Sequence, residues 1–296
     1  GTYSKGNVTH RVDGVEHINS ISSIRGDYSE TIDGKRVNKN KLRHWGKNDV
    51  IFQKSDIFNE RLYAIQWIKD NDSARPETEF RSVTNEDLAR EEKVIAFVQE
   101  NLAKWQANGW VPDMRIETGV ETERLYRERG WTHWHHLFNP RQLTVAAFIR
   151  EEGTTYDVFG LTQLLNRNSR LSHWDFNDVK AVFYNQALNT FFNYGCRGFV
   201  YSEGLISDSY KSSPFAEDLK YEIVATPAEA IDYKADIFIT DPPYGDAVKY
   251  EEILDFFIAW LHKNPPAKFA GWVWDSRREL AVKGEDHDFK LSMVAA

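Results

Sequence analysis

The stretch Ala235-Asp-Ile-Phe-Ile-Thr-Asp-Pro-Pro-Tyr-Gly-Asp-Ala-Val-Lys-Tyr250 decides how the chain is read. Ile237, Phe238 and Ile239 form a short apolar run of strand type, and Pro242 and Pro243 forbid both a longer ladder and an immediate helix. The strand is therefore expected to end at Asp241. Each proline fixes its own φ and restricts the residue before it, so Asp241 and Pro242 are held extended and the loop is stiff. A carboxylate, a carbonyl and the Tyr244 ring are then presented in fixed geometry. Downstream, Tyr250, Ile253, Leu254, Phe257, Ile258 and Leu261 recur at helix spacing. Strand, rigid loop and helix place the motif at the carboxyl end of an α/β sheet, where such folds bind ligands. Without that context, four residues would also suit a plain strand-ending turn.

Outward from the motif, Gly198-Phe-Val-Tyr-Ser202 and Tyr221-Glu-Ile-Val-Ala225 read as further strands and Pro227 to Ile231 as a short helical turn. That order of strand, short helix and strand is what a doubly wound sheet supplies beside its ligand loop. Past the helix ending near His262 comes a break at Asn264-Pro-Pro-Ala-Lys268, then Trp272 to Leu280, and Phe289 to Ala296 resembles the opening of a helix.

Upstream, the firmest helix spans Asn85 to Asn108. Thr84 or Asn85 caps it, Leu88, Ile95, Val98, Leu102 and Trp105 line one side, and Gly109 closes it. Asn139-Pro140 starts another, with Leu143, Ala146, Ala147 and Ile149 following. Helical spacing is also read from Ser55 or Asp56 (Ile57, Leu62, Ile65, Ile68) and from Asp178 to Tyr194, ended at Gly195. Residues 1 to 50, rich in Gly, Ser, Asn, Asp and Lys, read as a small β or loop-rich segment. Three parts result: residues 1–50, a mainly helical stretch over 51–215, and a catalytic part over 216–296.

Two polar clusters fall in the middle part. His133, His135 and His136 invite a metal reading, but no carboxylate or cysteine has suitable spacing to complete a zinc site, so no metal is assigned. Imidazole and aromatic groups beside a nucleic-acid groove, or in a core, suit them better. Asn166-Arg-Asn-Ser-Arg170 carries the usual phosphate donors and reads equally as a loop between helices.

The chain has 296 residues, 41% hydrophobic and 14% aromatic, enough for one large or two modest cores. A single cysteine, Cys196, excludes a disulfide framework and a cysteine-based zinc site and fits a reducing cytoplasm. No run approaches 18 apolar residues and the N-terminus lacks a secretory pattern, so a soluble, cytoplasmic chain away from membranes is expected. A net charge of −8 argues against binding nucleic acid by bulk electrostatics. Residues 1–50 differ: nine Lys/Arg against six acids give +3 there and −11 in the remainder. So modest an excess is also what a solvated mixed-charge face carries.

Asp241-Pro242-Pro243-Tyr244 resembles the catalytic loop of amino-methyltransferases that use S-adenosylmethionine. Trp131-Thr-His-Trp-His-His-Leu-Phe-Asn-Pro-Arg-Gln-Leu143, Asn168-Ser-Arg-Leu-Ser172, Phe183-Tyr-Asn-Gln-Ala-Leu-Asn189, Thr240 to Tyr250 and Phe256-Phe-Ile-Ala-Trp-Leu261 narrow it. From about Asp56 onward the chain is similar to the large prokaryotic adenine-specific DNA methylases with a zinc-ribbon insertion, some of which sit in anti-phage defence loci. The resemblance implies a partial Rossmann-like methyltransferase sheet, S-adenosylmethionine as cofactor and DNA as partner. Asp241 and Pro242 would accept the two hydrogens of an exocyclic amino group, whose lone pair is otherwise delocalised into its ring. Pro243 would stiffen the corner and Tyr244 stack on a flipped-out base. His133, His135, His136, Arg141, Asn168, Ser169 and Arg170 are the candidate DNA contacts. Two departures matter: the family's Phe-x-Gly-x-Gly cofactor loop has no match here, and the zinc-ribbon cysteines are absent. The chain is thus expected to be inactive alone, with most of the cofactor pocket in another part of the same protein and defence-system partners implied. Cytosine, RNA or a protein glutamine amide remain open as acceptors, and a non-catalytic DNA-binding component is the reading of another class.

Overall fold

The computed structural model describes residues 2–69, 77–175, 178–183, 188–190, 192–196, 220–227, 230–241, 248–276, 278–281 and 286–295. Its N-terminal topology follows from three dipeptides. Lys5-Gly6, Asp13-Gly14 and Asp33-Gly34 all adopt positive φ, 49–50° at the first residue and 76–81° at the glycine. Two consecutive left-handed residues make the tight turn whose twist matches a hairpin. They connect β1 (Thr2–Ser4), β2 (Asn7–Val12) and β3 (Val15–Ser20) into one antiparallel sheet, and β4 (Tyr28–Ile32) to β5 (Lys35–Lys39) in a second. A short helix α1 (Ile21–Arg25), capped by the Ser20 hydroxyl, joins them. A third sheet pairs β6 (Ala64–Ile68) with β7 (Thr78–Ser82), antiparallel.

The helices begin where capping side chains stand. Thr84 caps α2 (Asn85–Ala107) by accepting from the Asp87 amide at 3.2 Å, while the Asp87 carboxylate accepts from the Thr84 amide at 3.1 Å. Asn139 and Gln142 repeat that reciprocal bonding at the start of α4 (Pro140–Glu152), with Pro140 in the first turn, and Thr154 caps α5 (Thr155–Arg167). Between them α3 (Glu123–Arg129) ends at Gly130, whose φ of +73° suits only glycine, and an added Cβ would collide with the Arg43 carbonyl oxygen. After α5 come the two-stranded sheet β8 (His173–Asp175) and β9 (Asp178–Lys180), then α6 (Tyr250–Ile253), α7 (Asp255–Leu261) and α8 (Asp286–Ala295).

One aromatic core collects these pieces. A 3₁₀ turn over Trp134–Leu137 sends Trp134 against Phe256 of α7 (ring centroids 6.3 Å apart), and Phe138 meets Phe256 at 5.6 Å and Trp260 at 5.0 Å. Trp45 and Val50 reach the same core from the N-terminal side, and Val98, Leu102 and Trp105 of α2 reach it from the other. Residues 248–261 therefore share their core with the central helices rather than forming one of their own. No helix among the described residues is long and apolar enough to cross a membrane.

The protein is mixed α/β, and every sheet among the described residues is small and antiparallel. No parallel sheet is present there. Tyr221–Ala225 and Ile237–Ile239, expected as strands, have no strand pairing, and Ile237, Phe238 and Ile239 are 76%, 64% and 94% exposed. A strand exists only beside a neighbour, and none of the described strands lies alongside these runs. The expected strand at 198–202 lies outside the described residues, as do residues 228 and 229 of the turn expected at 227–231, of which the Ala230 amide to Pro227 carbonyl bond (3.0 Å) is seen.

One expected helix is replaced, and another does not begin where expected. Residues 54–57 form a turn and bend leading toward β6, and the Asp56 carboxylate accepts from the Arg43 guanidinium (2.7 and 2.8 Å) and the Gln53 amide, which holds this stretch out of a helix. In the 178–194 stretch β9 stands at the start, and the Val182 amide bonds the Asn166 carbonyl at 2.6 Å, outside any helical ladder. Residues 184–187 and 191 lie outside the described set.

Candidate functional site

Asp241 is exposed and outside regular structure, and Pro242, Pro243 and Tyr244 lie outside the described residues. Upstream, residues 231–241 make no backbone hydrogen bond to another described residue. Downstream the chain is tightly held: Val248 is 8% exposed, Ile253 7% and Phe256 0%.

Two carboxylates on that downstream limb are buried with the apolar stripe. Glu252 accepts from three consecutive backbone amides, of Val120, Glu121 and Thr122. Asp255 accepts through Oδ2 from Arg278 Nε (2.9 Å), Arg278 Nη2 (2.8 Å) and Ser276 Oγ (3.1 Å). Burial pushes the Asp255 carboxyl upward, and the Arg278 guanidinium only partly offsets it. Sequence reasoning passed over both residues. The signal was available: Glu252 and Asp255 share the helix face of Phe256 and Ala259, and an ionisable group on a core stripe needs a partner.

The candidate DNA contacts are placed mostly inside. His135 and His136 are 0% exposed, Asn168 2%, Ser169 0% and Arg170 1%. His136 Nδ1 accepts from the Thr132 and His133 amides (3.1 and 3.2 Å), and its Nε2 lies 3.0 Å from the Gly46 carbonyl, which fixes a neutral ring with the proton on Nε2. Burial pushes His135 down to about 3 and lowers His136 further, with the neighbouring histidines and Arg170 adding to the effect on His136. Half-buried His133 is lowered too, first by burial and then by Arg115 and Lys47. Arg170 donates to the carbonyls of Val50, His136 and Phe138 and to the Glu60 carboxylate, and lies 5.3 Å from the Trp45 ring centre. Asn168 accepts from Gln142, and Ser169 closes a turn with Ser172. His136, Asn168, Ser169 and Arg170 spend polar atoms on the core, the His135 ring is enclosed there, and in this fold a phosphate does not reach them. Half-buried Arg141, paired with Glu91, and His133 keep some surface.

Among the described residues, no group of three or more His, Cys, Asp or Glu is arranged to hold a metal ion. A polar groove of about 230 Å³ is lined by Asp27, Tyr28, Ser29, Asn38, Lys39 and Arg127, and a cleft of about 10 Å³ lies beside Trp45 and Arg129. Neither is lined by Asp241. No protein-family model, no curated protein and no solved structure matches this chain.

Proposed function

We propose that the chain carries the amino-acceptor side of a DNA adenine N6-methyltransferase that uses S-adenosylmethionine. The observation that carries this reading is the Asp241-Pro242-Pro243-Tyr244 corner followed at once by a limb locked into the core, Val248 to Leu261. The Asp241 carboxylate and the Pro242 carbonyl accept the two amino hydrogens and return lone-pair density to nitrogen, and the Tyr244 ring stacks on the extruded base. The exposed run Ile237–Ile239 supports a place in a larger sheet. A strand apolar on both faces suits the interior of a parallel sheet covered by helices on each side. We assign the cofactor pocket and the missing strands to a cofactor-binding part of the same protein.

The test is Asp241→Ala in a protein that carries this chain together with a Gly-rich cofactor loop. Loss of one charged acceptor is expected to lower kcat for adenine methylation in DNA by about 10²–10³-fold. Methylation by the variant at the wild-type rate would remove Asp241 from the reaction.

The net +3 of residues 1–50 favours one other reading, a DNA-binding component without catalysis. It predicts salt-sensitive DNA binding and no labelled methyl group in DNA under any condition.

A further inference from the structure

The limb that follows the loop is fastened to the core by one carboxylate. Glu252 of α6 is 5% exposed, and its two oxygens accept from the amides of Val120 (2.8 Å), Glu121 (2.8 Å) and Thr122 (3.0 Å) and from the Thr122 hydroxyl (3.2 Å). Successive amides aimed at one point form an anion nest, and bonds to an ionised acceptor are the strong kind. Gly119 completes the cradle, since a Cβ there would overlap the Glu252 carboxyl group.

A local cap would not need this arrangement. Val120 is 66% exposed, so water could serve the turn, yet it is served by a carboxylate 130 to 132 residues further along the chain, at the cost of that group's hydration. The helix bearing it has four residues, too few to hold its own position. Its place is set by Val248, Ile253 and Glu252. Residues 231–241 make no backbone hydrogen bond to another described residue, so the described hold on the chain around the Asp241–Tyr244 motif lies downstream, from Val248 onward.

We propose that Glu252 is a positioning residue for that corner: by filling the nest at 119–122 it sets where the limb after the loop returns to the core. The proposal rests on reading the loop as an amino acceptor, and its test separates the two.

In the 296-residue chain, Glu252→Gln keeps the size but turns an NH₂ group toward amide donors. Amide exchange is expected to accelerate about tenfold or more in peptides 118–123 and 241–253 while α2 and α4 keep their rates. Acceleration confined to 118–123 overturns the proposal and leaves Glu252 a cap for the turn. Should exchange rise throughout, Glu252→Asp, which retains both oxygens on a shorter stem, is expected to confine the change to the two peptides. A general rise in that variant as well overturns the proposal. In an active protein containing the chain, Glu252→Gln is expected to lower kcat about ten- to a hundredfold with KM for DNA within about twofold, the pattern of misplaced groups. An unchanged kcat also overturns it. Wild-type protein without methyl transfer removes the functional reading, while the exchange result still decides what Glu252 holds in place.

Discussion

Arg170→Ala is expected to unfold the chain or bring it close to unfolding. The guanidinium is 1% exposed and bonds three carbonyls, of Val50 (3.1 Å), His136 and Phe138, as well as Glu60 (2.9 Å to Oε2). Burial alone would lower its pKa, but Glu60 and Tyr194 together outweigh burial and hold it raised. Alanine would strand the Glu60 carboxylate and leave three carbonyls short of a donor. Removing one partner of a buried pair costs about 3–5 kcal/mol, against the total of about 5–15 kcal/mol that a domain has. The Glu60 side chain, 28% exposed, can recover some hydration, so the carbonyls supply much of the loss. Arg170→Lys separates charge from geometry: it keeps the cation but cannot reach every acceptor of a planar fork, so its loss should be smaller yet clear. Urea unfolding curves measure both. An alanine variant within about 1 kcal/mol of wild type, the ordinary range for surface changes, would refute this account of the core.

Stability is expected to fall steeply as pH drops below about 6.5, before most carboxylates titrate. His135 and His136 are buried and neutral in the folded chain, the first with its pKa lowered to about 3 and the second lowered further, both chiefly by burial. In the unfolded chain each returns to the ordinary value near 6.5. Between those limits the unfolded state binds protons that the folded state refuses. Their contribution is thus complete above pH 6.5 and is lost progressively below it, at about 1.4 kcal/mol per pH unit for each residue. At pH 5 the pair should have given up about 4 kcal/mol. Unfolding free energies at pH 8, 6 and 5 measure this, and His135→Phe should roughly halve the slope. A flat profile between pH 7 and 5 would show that these rings are not held neutral.

What was legible in the sequence was local. The helices starting after Thr84 and Asn139 carry their capping partners within three residues, and both form as expected. Asp13-Gly14 and Asp33-Gly34 were open signals for hairpin turns, although the first fifty residues were read only as β or loop. The misreadings came from distance. The stretch from Asp56 reads as a helix until Arg43 takes the Asp56 carboxylate, and Val182 looks helical until its amide finds Asn166. Arg170 has the same side chain whether it grips a phosphate or an internal carboxylate. Its partner Glu60 is 110 residues away, and only the fold brings them together. For the candidate site, the Asp-Pro-Pro-Tyr corner is visible as a motif, while Glu252 and its nest are joined by the fold alone.

The uncovered run Ile237–Ile239 has a consequence for the chain as a physical object. Three consecutive greasy side chains whose main chain pairs with no described strand form a ready template for another copy, the kind of segment that seeds insoluble clumps when crowded. Lys234 and Asp236 ahead of it, and Asp241 with its two prolines behind, are the residue types that break such stacking. The diproline that the sequence places after Asp241 thus also acts as a guard, because it ends the sticky segment there.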